Sequence, residues 1–193
     1  MKNETHMRVK FWGVRGSTPT PSVENLGYGG NTSCVEVRSG DEILIIDGGS
    51  GIRNLGMQLL HESAGSPCQV SILMSHFHWD HIQGLPFFAP LYGDANEVTF
   101  YAAQPSERVH EILEGQMSEP YFPVSFDLLR ARRRVEQASP GGFRCGAFMV
   151  YPFALNHPQG AHGYRIEANG STFVYASDLE LGDARLDTLL RDN

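Results

Sequence analysis

The stretch Ser75-His76-Phe77-His78-Trp79-Asp80-His81 places three histidines and one aspartate within six residues. Val70-Ser71-Ile72-Leu73-Met74 runs into it, short, apolar and partly β-branched, which is the pattern of a buried strand. Ile82-Gln83-Gly84-Leu85-Pro86 leaves it as a loop entering a short helix. The cluster therefore falls at the C-terminal end of a strand, where α/β proteins place ligand sites. His76 and His78 are two apart, so on an extended segment they point the same way and can share one metal ion. Asp80 and His81 lie one turn further on and can aim at a second position. Imidazole with carboxylate suits zinc, and also iron or manganese. The alternative is a polar loop whose histidines only bond backbone. That fits a lone histidine far better than His-x-His-x-Asp-His at a strand end.

Upstream, Glu42 to Ile46 is nearly all apolar and reads as a central strand. It pairs with Cys34 to Arg38 across Ser39-Gly40-Asp41 as a hairpin. It ends in Asp47-Gly48-Gly49-Ser50-Gly51, where an aspartate alone would suggest a helix cap or turn. Ile52, Leu55, Leu59 and Leu60 have helical spacing, which predicts a helix over Ile52 to Ser63. Arg8 to Val14 gives a first strand, broken by Arg15-Gly16-Ser17-Thr18-Pro19-Thr20-Pro21. Gly27-Tyr28-Gly29-Gly30-Asn31-Thr32 lacks the Gly-Lys-Ser/Thr of a phosphate-binding loop. Its glycines are expected to permit tight backbone packing near the site.

Downstream, Val98 to Ala102 reads as a strand. Pro105-Ser106-Glu107 opens a helix whose apolar face is Val109, Ile112 and Leu113. His110 on that helix is read as a surface residue. Gln116 to Phe126 is irregular and aromatic, suited to a pocket wall, a dimer contact or plain core packing. Phe143 to Leu155 reads as one or two strands and delivers Asn156-His157-Pro158. Gly163 to Glu167 and Ser171 to Tyr175 form a hairpin across Ala168-Asn169-Gly170, and the second strand ends in Ala176-Ser177-Asp178. Arg185 to Arg191 looks like the start of a helix.

The 193 residues suit one domain, 1–193, with a polar leader at 1–6. No apolar run approaches the roughly 20 residues that cross a bilayer, and the N-terminus lacks the apolar core of a signal peptide. Cys34, Cys68 and Cys145 are scattered and odd in number, which fits buried thiols in a reducing cytoplasm. A net charge of −7 disfavours a broad, extended nucleic-acid surface. It leaves room for a small phosphodiester, because two divalent ions would dominate the local field. Arg130-Ala131-Arg132-Arg133-Arg134 is the one basic cluster, read as a solvated face or a phosphate patch.

The histidine stretch resembles the signature of the metallo-β-lactamase superfamily. Its continuation His81-Ile82-Gln83-Gly84-Leu85-Pro86 is most similar to the ribonuclease Z and cyclic-phosphodiesterase branch. The resemblance implies an α/β (α+β) fold, an αββα sandwich of two mixed sheets with helices outside. It implies that Asp47 is not a ligand but supports the metal loop through hydrogen bonds. His157 and Asp178, with the Gly-Tyr-Arg-Ile hairpin between them, resemble the third and fourth motifs. Carried over, His76, His78 and His157 would bind one ion, Asp80 and His81 a second, and Asp178 would bridge the two. His162 is an alternative to His157. His157 is preferred because it directly follows a strand and precedes proline. The superfamily usually adds a fifth-motif histidine, but none follows His162 here. The chain is therefore expected to be a fragment lacking the C-terminal part, unless a partner chain completes the second site or that site is defective.

The implied function is a metal-dependent hydrolase carrying two divalent ions, most simply zinc. A hydroxide bridging them would attack a cyclic nucleotide, cyclic sugar phosphate or other small phosphodiester. Asp80 and His162 are the candidate catalytic residues, His162 as general acid. Thioester or lactone hydrolysis is the rival activity, and a non-enzymatic di-iron sensor is the rival class. A membrane partner is not expected; a homodimer is compatible.

Overall fold

The computed structural model describes residues 6–180. Within them lie two sheets. The first has six strands in sequence order: β1 (Arg8–Gly13), β2 (Cys34–Ser39), β3 (Glu42–Ile46), β4 (Gln69–Leu73), β5 (Glu97–Ala102) and β6 (Arg132–Gln137). β1 to β3 are antiparallel, and β3 to β6 are parallel. The parallel crossovers carry α1 (Ile52–Ser63), the histidine loop with α2 (Trp79–Ile82), and α3 (Ser106–Gln116). The second sheet is antiparallel, made of β7 (Phe143–Cys145), β8 (Phe148–Leu155), β9 (Ala161–Ala168) and β10 (Ser171–Tyr175), in the order β10-β9-β8-β7.

Alternation of side chains along each strand explains the layers. Ile45, Ile72, Val98 and Phe100 face the helices and pack with Ile52, Leu55, Leu59, Val109 and Leu113. Leu44, Ile46 and Leu73 face the other way, toward Phe148, Val150, Tyr164 and Ile166 of the second sheet. Strands buried on both faces must be apolar throughout, hence the unbroken Ile43-Leu44-Ile45-Ile46 run. These are the helix, sheet and sheet layers of the expected sandwich. The helix expected at Arg185 to Arg191 and most of the expected leader lie outside the described residues. Among the described residues, no helix is long and apolar enough to cross a membrane.

The helix read over Ile52 to Ser63 has those bounds, and the Asn169-Gly170 turn takes positive φ at both residues, 49° and 76°, as a two-residue hairpin requires. The arginine-rich stretch, read as a solvated face or a phosphate patch, runs into the edge strand β6, where Arg132 and Arg134 are exposed. Val135 packs on the first core, and the Arg133 guanidinium lies 5.0 Å from the Phe126 ring. Arg132 and Arg134 pair with Glu97 at 3.7 and 3.2 Å, and Arg130 pairs with Asp94 at 3.3 Å. Charged side chains on an outer strand deter edge-to-edge association. In the aromatic loop, Met117 and Phe126 are buried, while Tyr121 is exposed.

Candidate metal centre

Four strand ends converge. β3 delivers Asp47, β4 the histidine loop, β8 His157 and β10 Asp178. Cross-links hold the two sheets together there. Tyr164 Oη donates to Met74 O at 2.6 Å, and the His162 amide donates to Ser75 O at 2.9 Å.

Asp47 is fully buried and organises the histidines. Its Oδ1 accepts the Ser75 amide at 2.8 Å. Its Oδ2 accepts Ser75 Oγ–H at 2.8 Å, Tyr175 Oη–H at 2.7 Å and His81 Nδ1–H at 2.7 Å. Because Ser75 Oγ gives its proton to Asp47, it accepts from His76 Nδ1–H at 3.0 Å. Both His76 and His81 thus carry Nδ1–H, and their Nε2 atoms face the cluster. Carboxylates behind histidines fix ring orientation and tautomer in this way at metal sites. The backbone is equally constrained. Gly48 N–H donates to His81 O at 2.7 Å, and Gly84 N–H donates to Gly48 O at 2.9 Å. A Cβ on Gly49 would lie 2.3 Å from Asp80 O, so only glycine allows this approach.

The facing atoms form two groups that share Asp178. His76, His78, His157 and Asp178 make one; Asp80, His81 and Asp178 make the other; within each group the ligand atoms lie within 4.8 Å of one another. Asp178 Oδ2 is 3.3 Å from His76 Nε2, 3.0 Å from His81 Nε2 and 3.8 Å from His157 Nε2. His78 Nε2 meets Gln159 Oε1 at 3.0 Å, leaving Nδ1 against His157 Nε2 at 3.0 Å. Asp80 Oδ2 accepts the Ser17 amide at 2.7 Å.

The donor set fits divalent ions. His76 Nε2 is buried and makes no hydrogen bond, since its 3.3 Å approach to Asp178 lacks the geometry for one. Three imidazoles and a carboxylate are an ordinary zinc set, and a carboxylate, an imidazole and a shared carboxylate can begin a second. Without an ion the charges compensate among themselves. Burial lowers the His81 pKa, but hydrogen bonds to Asp178 and Asp47 outweigh it and raise the value to about 10. The His76 imidazole at 3.3 Å, and then that of His81, hold Asp178 well below the ordinary carboxylate range. Burial, followed by His76, lowers His157. An incoming cation would therefore displace a proton from His81.

Backbone strain collects at the same place. Among the described residues, six non-glycine residues have positive φ. Ala64 caps α1 and Asn169 turns a hairpin; the other four, Ser17, Asp47, Gln159 and Asp178, all touch the cluster. Strained residues persist where the surroundings over-determine them, commonly at functional sites.

All six sequence-derived ligand candidates, His76, His78, Asp80, His81, His157 and Asp178, are brought together, with Asp47 behind them. His162 is outside both groups; its Nδ1 is buried without a partner, and burial lowers its pKa. His110 is on the exposed side of α3, 3.4 Å from Asp127. The three cysteines are buried and free. Sequence reasoning missed Ser17, Gln159 and Tyr175. Each contributes through a backbone amide or a single side-chain atom inside a turn or strand end, which has no periodic signature.

Residues 43–192 match the family model of the beta-lactamase superfamily domain. The chain belongs to that family. A ribonuclease Z of Pyrococcus horikoshii is 25% identical over 162 residues, covering 82% of this chain and 47% of the relative. A ribonuclease Z of Prochlorococcus marinus is 27% identical over 184 residues, covering 91% of this chain and 55% of the relative. The chain thus spans about half the length of the curated relatives it matches. The crystal structure of YhfI, a metallo-beta-lactamase fold protein from Bacillus subtilis, superposes with a TM-score of 0.67 at 19% identity. That match covers 94% of this chain and 66% of YhfI, and it supports the fold.

Proposed function

We propose that this chain carries the metal centre of a metal-dependent hydrolase acting on small phosphodiesters, with zinc as the ion. The observation that carries the reading is the pair of ligand groups joined by the Asp178 carboxylate. Two divalent ions held there would activate water and neutralise phosphate charge for in-line displacement. In this reading His76, His78 and His157 hold the first ion, Asp80 and His81 the second, and Asp178 spans both. Asp47 fixes the tautomers of His76 and His81. Asp80 is kept in place by the Ser17 amide, so its carboxylate stays aimed at the second position.

Proton delivery to the leaving group is assigned to His162. Burial lowers its pKa, so the protonated form is scarce near neutrality. The assignment therefore requires a Gln substitution at His162 to slow esters with poor leaving groups more than nitrophenyl esters. An acidic chain, net charge −7, favours a small phosphodiester over extended nucleic acid, although the curated relatives are ribonucleases Z. Residence in a reducing cytoplasm agrees with three free, buried thiols.

The test is metal content per chain, followed by hydrolysis of bis-p-nitrophenyl phosphate, a thioester and a lactone. Zinc-dependent turnover of the phosphodiester alone supports the reading. Turnover of the thioester or lactone alone replaces it, and bound iron with no hydrolysis points to a sensor.

A further inference from the structure

A cavity of about 200 Å³ is lined by His81 and Asp178 of the cluster and by Val14, Arg15 and Gly16 of the loop that follows β1. It falls below the roughly 300–1,000 Å³ of pockets for whole organic ligands, and suits one compact group. The loop is fixed to the second ligand group. The Ser17 amide donates to Asp80 Oδ2 at 2.7 Å, and the Val14 and Arg15 amides both donate to Asn31 O at 2.9 Å. The Arg15 side chain is partly buried, and its Nε donates to Gly29 O at 2.9 Å. Among the described residues that is the side chain's one hydrogen bond, and no carboxylate pairs with it. Elsewhere the fold pairs Arg38 with Glu36, Arg132 and Arg134 with Glu97, and Arg165 with Glu167. A charge drawn partly out of water is usually paired in this way. The Nη groups of Arg15 are thus left to an anion in the cavity.

We propose that Arg15 is a substrate-binding residue that holds phosphoryl oxygens beside the Asp80, His81 and Asp178 group. The inference rests on the proposed phosphodiesterase reading. A guanidinium presents parallel N–H donors that match two oxygens of one phosphate, which an ammonium does not. Its bond to Gly29 O and the Ser17 anchor hold the loop in place before anything binds. The charge also answers a difficulty of the site. The Asp80 and Asp178 carboxylates repel an anion, and Arg15 adds its positive charge to that of bound cations. The group recognised carries two oxygens that share negative charge on one phosphorus. A lactone or a neutral thioester offers no such pair.

The probe is inorganic phosphate, titrated calorimetrically into zinc-loaded wild type, Arg15→Gln and Arg108→Ala. Glutamine carries its amide nitrogen where arginine has Nε, so Arg15→Gln keeps a donor for Gly29 O and removes the Nη groups. Its phosphate affinity is expected to fall about ten- to a hundredfold, the worth of charged hydrogen bonds. Its zinc per chain and thermal midpoint stay at the wild-type values. Arg108→Ala removes an arginine paired with Glu111 and leaves phosphate affinity unchanged. Undiminished phosphate binding in Arg15→Gln overturns the assignment. An equal loss in Arg108→Ala overturns it as well, since net charge alone would then account for the effect. Lost zinc or a lowered midpoint in Arg15→Gln does the same, because the side chain would then be structural. A wild type that binds no zinc, or zinc but no phosphate, overturns the phosphodiesterase reading itself, and the role of Arg15 falls with it.

Discussion

Two stretches of this chain concentrate like residues: the histidines of 75–81 and the arginines of 130–134. In sequence each is a dense polar cluster beside a strand. In the fold each leaves one buried nitrogen unmatched, Arg133 Nε and His76 Nε2, but they differ in how their atoms converge and in the backbone that holds them. The arginines find carboxylates or backbone carbonyls, Arg132 and Arg134 on Glu97 and Arg133 on Ala131 O at 3.1 Å. The histidines turn their Nδ1 or Nε2 atoms toward each other, and His76 Nε2 has no hydrogen bond. No residue of β6 has positive φ, while positive φ gathers around the histidines at Ser17, Asp47, Gln159 and Asp178. The candidate metal cluster is thus distinguished from the charged edge by convergent donor atoms held on a strained frame.

The largest effect should come from the support of the histidines. Asp47→Ala leaves the Ser75 amide and hydroxyl, Tyr175 Oη and His81 Nδ1 without their acceptor. The expected loss is about 3–5 kcal/mol in urea unfolding, as for a buried charged partner removed from its network. A loss under about 1 kcal/mol would mean the carboxylate is not the organiser. Next is metal removal. Zinc at a hundred times its dissociation constant should stabilise the folded chain by about 2.7 kcal/mol relative to chelated protein. A thermal midpoint indifferent to chelator would count against the centre. Arg134→Ala should cost no more than about 1 kcal/mol, the usual worth of an exposed ion pair, and leave zinc content unchanged.

A separate effect is alkaline. Tyr101 stacks on Phe143 at 4.8 Å between the sheets, and burial pushes its phenol up to about 12 from an ordinary value of 10. The folded state holds the proton more tightly, so this stabilisation is intact below pH 10. It is lost as pH rises toward 12. Urea midpoints at successive pH values should fall over that interval, and less steeply in Tyr101→Phe.

The fold was legible wherever burial imposes a period. α1 shows its four-residue spacing, β3 its apolar run, and the β9–β10 hairpin its Asn-Gly turn. The convergence of the candidate ligands was legible because His-x-His-x-Asp-His and two further residues at strand ends share one edge of the sheets. β6 was not, because its charges serve a sheet edge and mask the single packed residue Val135. Nor was Ser17, whose contribution is a backbone amide held at φ 64° and aimed at Asp80; any residue but proline carries that donor.

The central claim, that the converging histidines hold a metal, is tested most directly by zinc per chain in wild type, His78→Ala and His110→Ala. His78 is partly exposed, so its removal spares the core. The account predicts bound zinc in wild type and His110→Ala, and its loss from the first position in His78→Ala. Equal zinc in all three would contradict it.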